Sequence, residues 1–200
     1  TKLDMAYLFV GPNFALGKGR SGNTHHLMEL SKELDFSIEI MEPYRTSEGM
    51  ISSSQIRGDI RSSRIREANR KLGRAYSLSG VVVHGEHRGT KLGIPTANMQ
   101  LPPERLLPAN GVYITRAWIE GISYPSVTNI GVRPTFENPL LLPRVEPHLL
   151  DMQEQVYDKP IKLEFIDFLR PEIRFANSEE LVKQIKKDIS VTREVFNNES

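Results

Sequence analysis

The residues best placed to do chemistry lie between Gly85 and Asn98. Gly85, Gly89 and Gly93 punctuate a loop that follows the apolar run ending at Val83 and leads into Pro95-Thr96-Ala97-Asn98. Glycine lets a backbone close around a ligand and aim its N–H groups at phosphate oxygens. Arg88 and Lys91, in the same loop, are candidate cationic partners for those oxygens. Thr96 and Asn98 offer a hydroxyl and an amide oxygen two residues apart, and an extended segment puts both on one face. They are candidate ligands for a phosphate-bound Mg²⁺, which keeps several waters and accepts neutral protein oxygens. No Gly-x-x-x-x-Gly-Lys-Ser/Thr occurs, so the loop is not a P-loop. An ordinary hairpin turn is the plainer alternative, which the glycines alone allow.

Phosphoryl transfer to a hydroxyl needs a clamp on the phosphates, a cation, and a base or orienting group for the hydroxyl. The loop and Thr96/Asn98 supply candidates for the first two. Glu146, in Arg144-Val145-Glu146-Pro147-His148-Leu149-Leu150-Asp151, is the candidate for the third. Alternation sets Val145, Pro147 and Leu149 on one face and Glu146, His148 and Leu150 on the other. A carboxylate pointing into a barrel mouth can accept a hydroxyl proton; the competing reading is a solvated strand carboxylate. His148 is expected to be structural or superficial rather than a ligand. Farther upstream, Ile51-Ser52-Ser53-Ser54-Gln55-Ile56-Arg57 puts hydroxyls at a helix start and Arg57 one turn in, a plausible triphosphate site. A capping box, Ser52 to Gln55, accounts for the same residues without a ligand.

The elements that must position these groups fall into two textures. Residues 1 to 75 read as α/β: Met5–Val10 as a buried strand, Thr24–Leu34 as an amphipathic helix carrying Leu27, Leu30 and Leu34, and Phe36–Ile40 as a strand. Two short helices follow, one from Ser52 and one from Arg64 to Leu72, the latter stopped by Gly73. From Tyr76 the pattern is β. Val81–His84, Gly111–Ile119, Ser123–Asn129, Arg144–Asp151 and Ile161–Leu169 are strand candidates, which suggests a sandwich or a small barrel. A last helix carries Leu181, Ile185 and Ile189, with Ser178 as its expected cap and Glu179 and Glu180 at its positive end.

Bulk properties narrow the partners. In 200 residues, 26 Lys and Arg face 25 Asp and Glu, for a formal net charge of +1. That balance argues against nucleic acid or an anionic membrane as the main partner. Cysteine is absent, which excludes disulfides and thiolate metal sites. No apolar run approaches the ~20 residues that span a bilayer. A cytoplasmic protein with small-molecule substrates is the expectation. The abrupt start, Thr1 running at once into an apolar strand, suggests a piece of something longer.

Against this reading, the segment from Gly80 to Asn98 resembles the nucleotide-binding flap of riboflavin kinases, with its Pro-Thr-Ala-Asn motif. Gly111-Val112-Tyr113, Asn129–Phe136, the Glu146 segment and Arg170–Phe175 follow in that family's order, so the resemblance covers roughly Tyr76 to Arg193. It implies a six-stranded antiparallel barrel with a C-terminal helix, Mg²⁺ and ATP phosphates at Thr96 and Asn98, Glu146 as catalytic base, and flavin between the barrel and its flaps. Two departures stand out: Glu-Pro-His replaces the usual Glu-Thr-His or Glu-Val-His, and Asp158 follows Tyr157 where Gly is common, which can alter a turn. Residues 1–75 resemble the second half of the FMN adenylyltransferase module of bacterial FAD synthetases, a partial Rossmann-like nucleotidyltransferase. Val10–Gly22 and the Ser52, Ser53 and Arg57 segment carry that match, with Ser54 in the usual Thr place. The Gly-x-x-His-x-Gly-His segment of that module does not occur; His25 and His26 do not form it. The expectation is therefore a riboflavin kinase domain, 76–200, that makes FMN from ATP and riboflavin and does not make FAD by itself. The alternatives are a longer protein defined by FMN adenylyl transfer and a non-catalytic flavin-binding barrel. Thr96, Asn98 and Glu146 together favour the kinase, because flavin binding alone needs neither a magnesium site nor a base.

Overall fold

Alternation of apolar and polar residues from Tyr76 onward folds into six antiparallel strands that close on themselves. The computed structural model describes residues 5–46, 49–85, 89, 92–132, 143–152 and 154–198. Arg88, Lys91 and the Arg133–Phe136 part of the sequence motif lie outside the described residues. Two compact units are present, Thr1–Ser52 and Ser53–Ser200.

The first unit contains β1 (Tyr7–Val10), β2 (Ala15–Leu16), β3 (Gly22–Asn23), α1 (Thr24–Glu33), β4 (Ser37–Ile40), β5 (Arg45–Thr46) and β6 (Gly49–Met50). Strands β1 and β4 pair in parallel, with Tyr7 opposite Ser37. Asn23 caps α1, its side chain accepting the His26 N–H at 3.0 Å. Val10 and Leu27 are buried, whereas Tyr7 is 68% and Phe9 60% exposed. The expectation of a buried first strand is corrected accordingly. Successive residues of a strand face opposite sides, and among the described residues only the Val10 side is covered.

The second unit begins with α2 (Ser53–Arg61) and α3 (Ile65–Leu72) and continues with β7 (Tyr76–Val83), β8 (Asn98–Gln100), β9 (Gly111–Ile119), β10 (Ile122–Gly131), β11 (Arg144–Leu149), β12 (Pro160–Arg170) and the C-terminal helix α4 (Ser178–Asn197). Helices α2 and α3 thus fall in the same compact unit as the barrel. The barrel order is β10-β11-β8-β7-β12-β9, closed by the β9–β10 pairing. Leu78, Val82, Ile130, Val145 and Leu163 fill its interior, and Tyr113 meets the Phe165 and Phe168 rings edge-on at 5.5 and 5.3 Å. Each such large side chain contributes about 1.5–3 kcal/mol through burial. Three buried hydroxyls share this space without penalty, because Thr115 Oγ1 lies 2.6 Å from both Ser126 Oγ and Thr128 Oγ1.

Local chemistry explains the remaining details. Gly73 stops α3 in the left-handed conformation. Asn69 of α3 donates to the Phe165 carbonyl and accepts from the Tyr76 N–H, tying the helix to β12 and β7. Asn177, not Ser178, caps α4: its backbone is extended and its side chain accepts the Glu180 N–H at 2.9 Å, while Ser178 is already helical. Asp158 adopts a positive φ of 61°, and its N–H donates to the Val82 carbonyl at 2.8 Å. Aspartate is among the few side chains that accept this region, so the turn forms here without a glycine.

Candidate active site

Strand β11 presents Glu146 and His148 outward. Val145, Pro147 and Leu149 point into the barrel, as the burial pattern of alternating half-buried and buried residues shows. Leu150, expected on the Glu146 face, lies in the turn beyond the strand and is buried. Pro147 is tolerated inside β11 for a topological reason. In an antiparallel ladder the N–H and C=O of one residue face the same neighbour. The Pro147 carbonyl accepts the Ala97 N–H at 2.9 Å, so its missing N–H faces the very start of the three-residue strand β8.

The outer face of β11 forms part of a cleft of about 410 Å³. Its polar wall is Thr96, Asn129, Glu146, His148, Arg170 and Glu172; Ile173, Phe175, Leu181 and Ile185 supply an apolar wall from the segment after β12 and from α4. Asn129 stands opposite Glu146 in the β10–β11 ladder and donates to Glu172 Oε1 at 3.4 Å. Arg170 holds α4 against this cleft: its Nε lies 3.1 Å from both oxygens of buried Asp188 and its Nη2 donates at 2.8 Å. Gln184 donates to the same carboxylate at 2.8 Å. Beyond β11, the Arg193 guanidinium grips Asp151 at 2.6 and 2.8 Å and holds its carboxyl below the usual range, with a smaller contribution from His148.

A second cleft, also about 410 Å³, opens at Val82, His84, Pro95, Thr96, Val156 and Tyr157. The His84 and Tyr157 rings stack in it, 4.0 Å apart and 22° from parallel. Thr96 lines both clefts.

The sequence-derived candidates divide as follows. Thr96, Gly89 and Glu146 come together on the first cleft. Asn98 lines neither cleft; it sits at the start of β8 with its amide against Gly85, where a Cβ would lie 1.9 Å from Asn98 Nδ2. Gly89 is required by a similar contact, its missing Cβ falling 2.3 Å from the Ile94 carbonyl oxygen. The Gly89 carbonyl in turn accepts the Leu92 and Ile94 N–H groups at 3.0 and 2.9 Å. Gly93 has a φ of 72° and turns the chain toward Pro95. Among the described residues no hydrogen bond engages the Thr96 hydroxyl or the Asn98 amide, which leaves both oxygens available to a hydrated cation. No group of three or more His, Asp or Glu is assembled for a metal among them, so a divalent cation at Thr96 and Asn98 would rely on phosphate and water for its other ligands. Ser52, Ser53 and Arg57 lie at the start of α2, with Arg57 Nη2 donating to Ser54 Oγ at 3.3 Å, and line neither cleft. Sequence reasoning passed over Asn129, Arg170 and Glu172 as individual site residues, although the quoted motifs contain them. It also passed over His84 and Tyr157, which carry no local signal of their pairing.

The chain matches the riboflavin kinase family model over residues 72–196 and an FAD synthetase family model over residues 1–55. Among curated proteins it is 36% identical over 191 residues to the bifunctional riboflavin kinase/FMN adenylyltransferase of Pseudomonas fluorescens, covering 96% of this chain and 61% of that protein. It is 31% identical over 196 residues to the protein of the same name from Listeria monocytogenes, covering 97% of this chain and again 61% of the relative. The chain thus spans about three-fifths of the length of these relatives. A solved structure titled as a macrolide-efflux protein from Streptococcus pneumoniae is 30% identical with a TM-score of 0.79, covering 92% of this chain and 58% of that one.

Proposed function

The chain belongs to the riboflavin kinase family, and we propose that its 76–200 module transfers the γ-phosphate of ATP to the ribityl 5′-hydroxyl of riboflavin, giving FMN and ADP. The observation that carries this reading is the position of Thr96 on the wall of two clefts. A transfer between two substrates needs two adjoining sites that meet at the migrating group. The cleft with the stacked His84 and Tyr157 rings suits a planar base, and the cleft with Glu146 suits a hydroxylated chain attached to an apolar ring system.

In this scheme Glu146 accepts the hydrogen bond of the 5′-hydroxyl, orients its oxygen toward phosphorus, and takes its proton as the new P–O bond forms and the bond to the leaving ADP breaks. Asn129 and Glu172, beside it, supply a donor and an acceptor for the remaining ribityl hydroxyls. Thr96 and Asn98 would hold Mg²⁺, which when bound neutralises phosphate charge. The Gly85–Gly93 loop, with Arg88 and Lys91, is assigned to the phosphates. The apolar wall from α4 excludes water, which would otherwise compete with the hydroxyl as acceptor.

The division into a 1–75 adenylyltransferase portion and a 76–200 kinase module is likewise a proposal. Ser52, Ser53 and Arg57 are assigned to the first, and FMN adenylyl transfer is assigned only to a chain that also carries a Gly-x-x-His-x-Gly-His segment. No helix among the described residues is long and apolar enough to cross a membrane; a cytoplasmic location is part of the same proposal. Incubation with riboflavin, ATP and Mg²⁺ followed by chromatography of the flavins tests the reading. FMN is the expected product. Flavin that binds but stays unphosphorylated would instead establish a non-catalytic flavin-binding barrel.

A further inference from the structure

Thr96 is suspended between two hydrogen bonds to the strand that carries Glu146. On its C-terminal side the Ala97 N–H donates to the Pro147 carbonyl at 2.9 Å. On its N-terminal side His148 Nδ1 lies 2.7 Å from the Pro95 carbonyl oxygen. A carbonyl oxygen only accepts, so Nδ1 carries the hydrogen and donates it. Pro95 and Pro147 both lack an N–H, and the β8–β11 ladder has Val145 opposite Met99 as its paired residues. The His148 side chain adds a tie of its own beside this sparse backbone pairing.

We propose that His148 is a positioning residue, whose bond to the Pro95 carbonyl sets the Thr96 hydroxyl in register with Glu146 two residues away on the same strand. It acts through Pro95, on the metal and nucleotide side of the reaction, although its ring also lines the Glu146 cleft. The inference rests on the phosphotransfer reading above and adds to it a device that couples the two clefts. Rigid spacing matters here because a displacement of about 1 Å in a positioning group can cost on the order of 10²-fold in rate.

The test compares the unaltered protein with His148→Leu, which removes the donor, and His148→Asn, whose amide nitrogen falls near the position of Nδ1 and keeps it. Mg·ADP binding is followed by calorimetry, riboflavin binding by flavin fluorescence, turnover by FMN formation, and the Ala97 amide by hydrogen exchange. In His148→Leu, kcat should fall about 10- to 100-fold and Mg·ADP affinity about tenfold, with riboflavin affinity within about twofold and faster exchange at Ala97. His148→Asn should return all of these to within about threefold of the unaltered protein. Loss of riboflavin affinity with Mg·ADP binding intact would show that His148 touches the flavin and overturn the proposal. So would equal loss of both ligands with an early thermal transition, unchanged behaviour of the Leu variant, or failure of Asn to rescue. If the unaltered protein binds neither ligand, the phosphotransfer reading itself fails, and Ala97 exchange still reports whether His148 anchors the segment.

Discussion

Asn129 stands directly across from Glu146 in the β10–β11 ladder, on the outer face of the barrel, and its amide reaches Glu172 Oε1 at 3.4 Å. Two carboxylates are thereby brought to one cleft with a neutral donor between them, an arrangement suited to grasping a polyhydroxylated chain. Glu146 has further partners in addition to this neighbourhood.

Glu146→Gln keeps size and much of the hydrogen bonding but removes the basic oxygen. With general-base contributions typically about 10²–10⁴-fold, kcat for FMN formation should fall by that order. Affinities for riboflavin and ATP should change little, since the lost interaction is concentrated in the transition state. Steady-state kinetics checks this, and parental kcat in the variant would leave Glu146 a plain strand residue.

Thr96→Ala and Asn98→Ala should each slow FMN formation, by about 10²-fold, with little change in thermal stability, because neither oxygen has a partner within the described protein. Raising Mg²⁺ should recover part of the rate. A variant that melts early yet keeps its rate when folded would mark that residue as structural.

Gly85→Ala places a Cβ 1.9 Å from Asn98 Nδ2 and 2.6 Å from its Cγ. The Asn98 side chain must then turn away, so the variant should reproduce the kinetic defect of Asn98→Ala, with an added stability cost of about 1 kcal/mol from overpacking. Kinetics and thermal melting of the two variants side by side decide the matter; a Gly85→Ala protein with normal turnover would separate Asn98 from the phosphates.

Arg57→Ala should leave riboflavin phosphorylation within a few-fold of the unaltered protein, because Arg57 is exposed and lines neither cleft. Loss of FMN formation in that variant would mean that the start of α2 belongs to the kinase site.

Asp59 is expected to make the barrel unit sensitive to acid. Burial pushes its carboxyl up, but hydrogen bonds and charge from Lys71 at 2.5 Å and Arg64 at 2.7 Å outweigh it and hold the group below its ordinary value of 3.8. A depressed value in the folded state stabilises above the ordinary value and is lost as pH falls through the folded one. Acid denaturation monitored by circular dichroism should therefore show Asp59→Asn destabilised by about 1–2 kcal/mol near neutral pH, with the gap to the unaltered protein closing below about pH 4. A gap that persists at low pH would assign the loss to packing instead.

Much of this was legible in the residues. Two-residue alternation alone put Glu146 and His148 on the face opposite Val145, Pro147 and Leu149, and Gly73 alone ended α3. Strand β8 escaped notice because three residues are too few for a period to register. Thr96, just before it, and Asn98, its first residue, were singled out instead for their chemistry. The helix cap fell one residue early because Asn177 and Ser178 offer the same capping oxygen, and only the backbone angles choose between them.

The amino-acid sequence by itself determined the faces of β11, the end of α3 and the family resemblance, because these depend on neighbours within a few positions. Tertiary structure decided which distant groups share a cavity. His84 meets Tyr157, Asn129 meets Glu172, and His148 meets the Pro95 carbonyl. None of these contacts leaves a periodic trace, since each arises only when strands far apart in the chain become neighbours in the barrel order β10-β11-β8-β7-β12-β9 and the segment after β12 folds back over it.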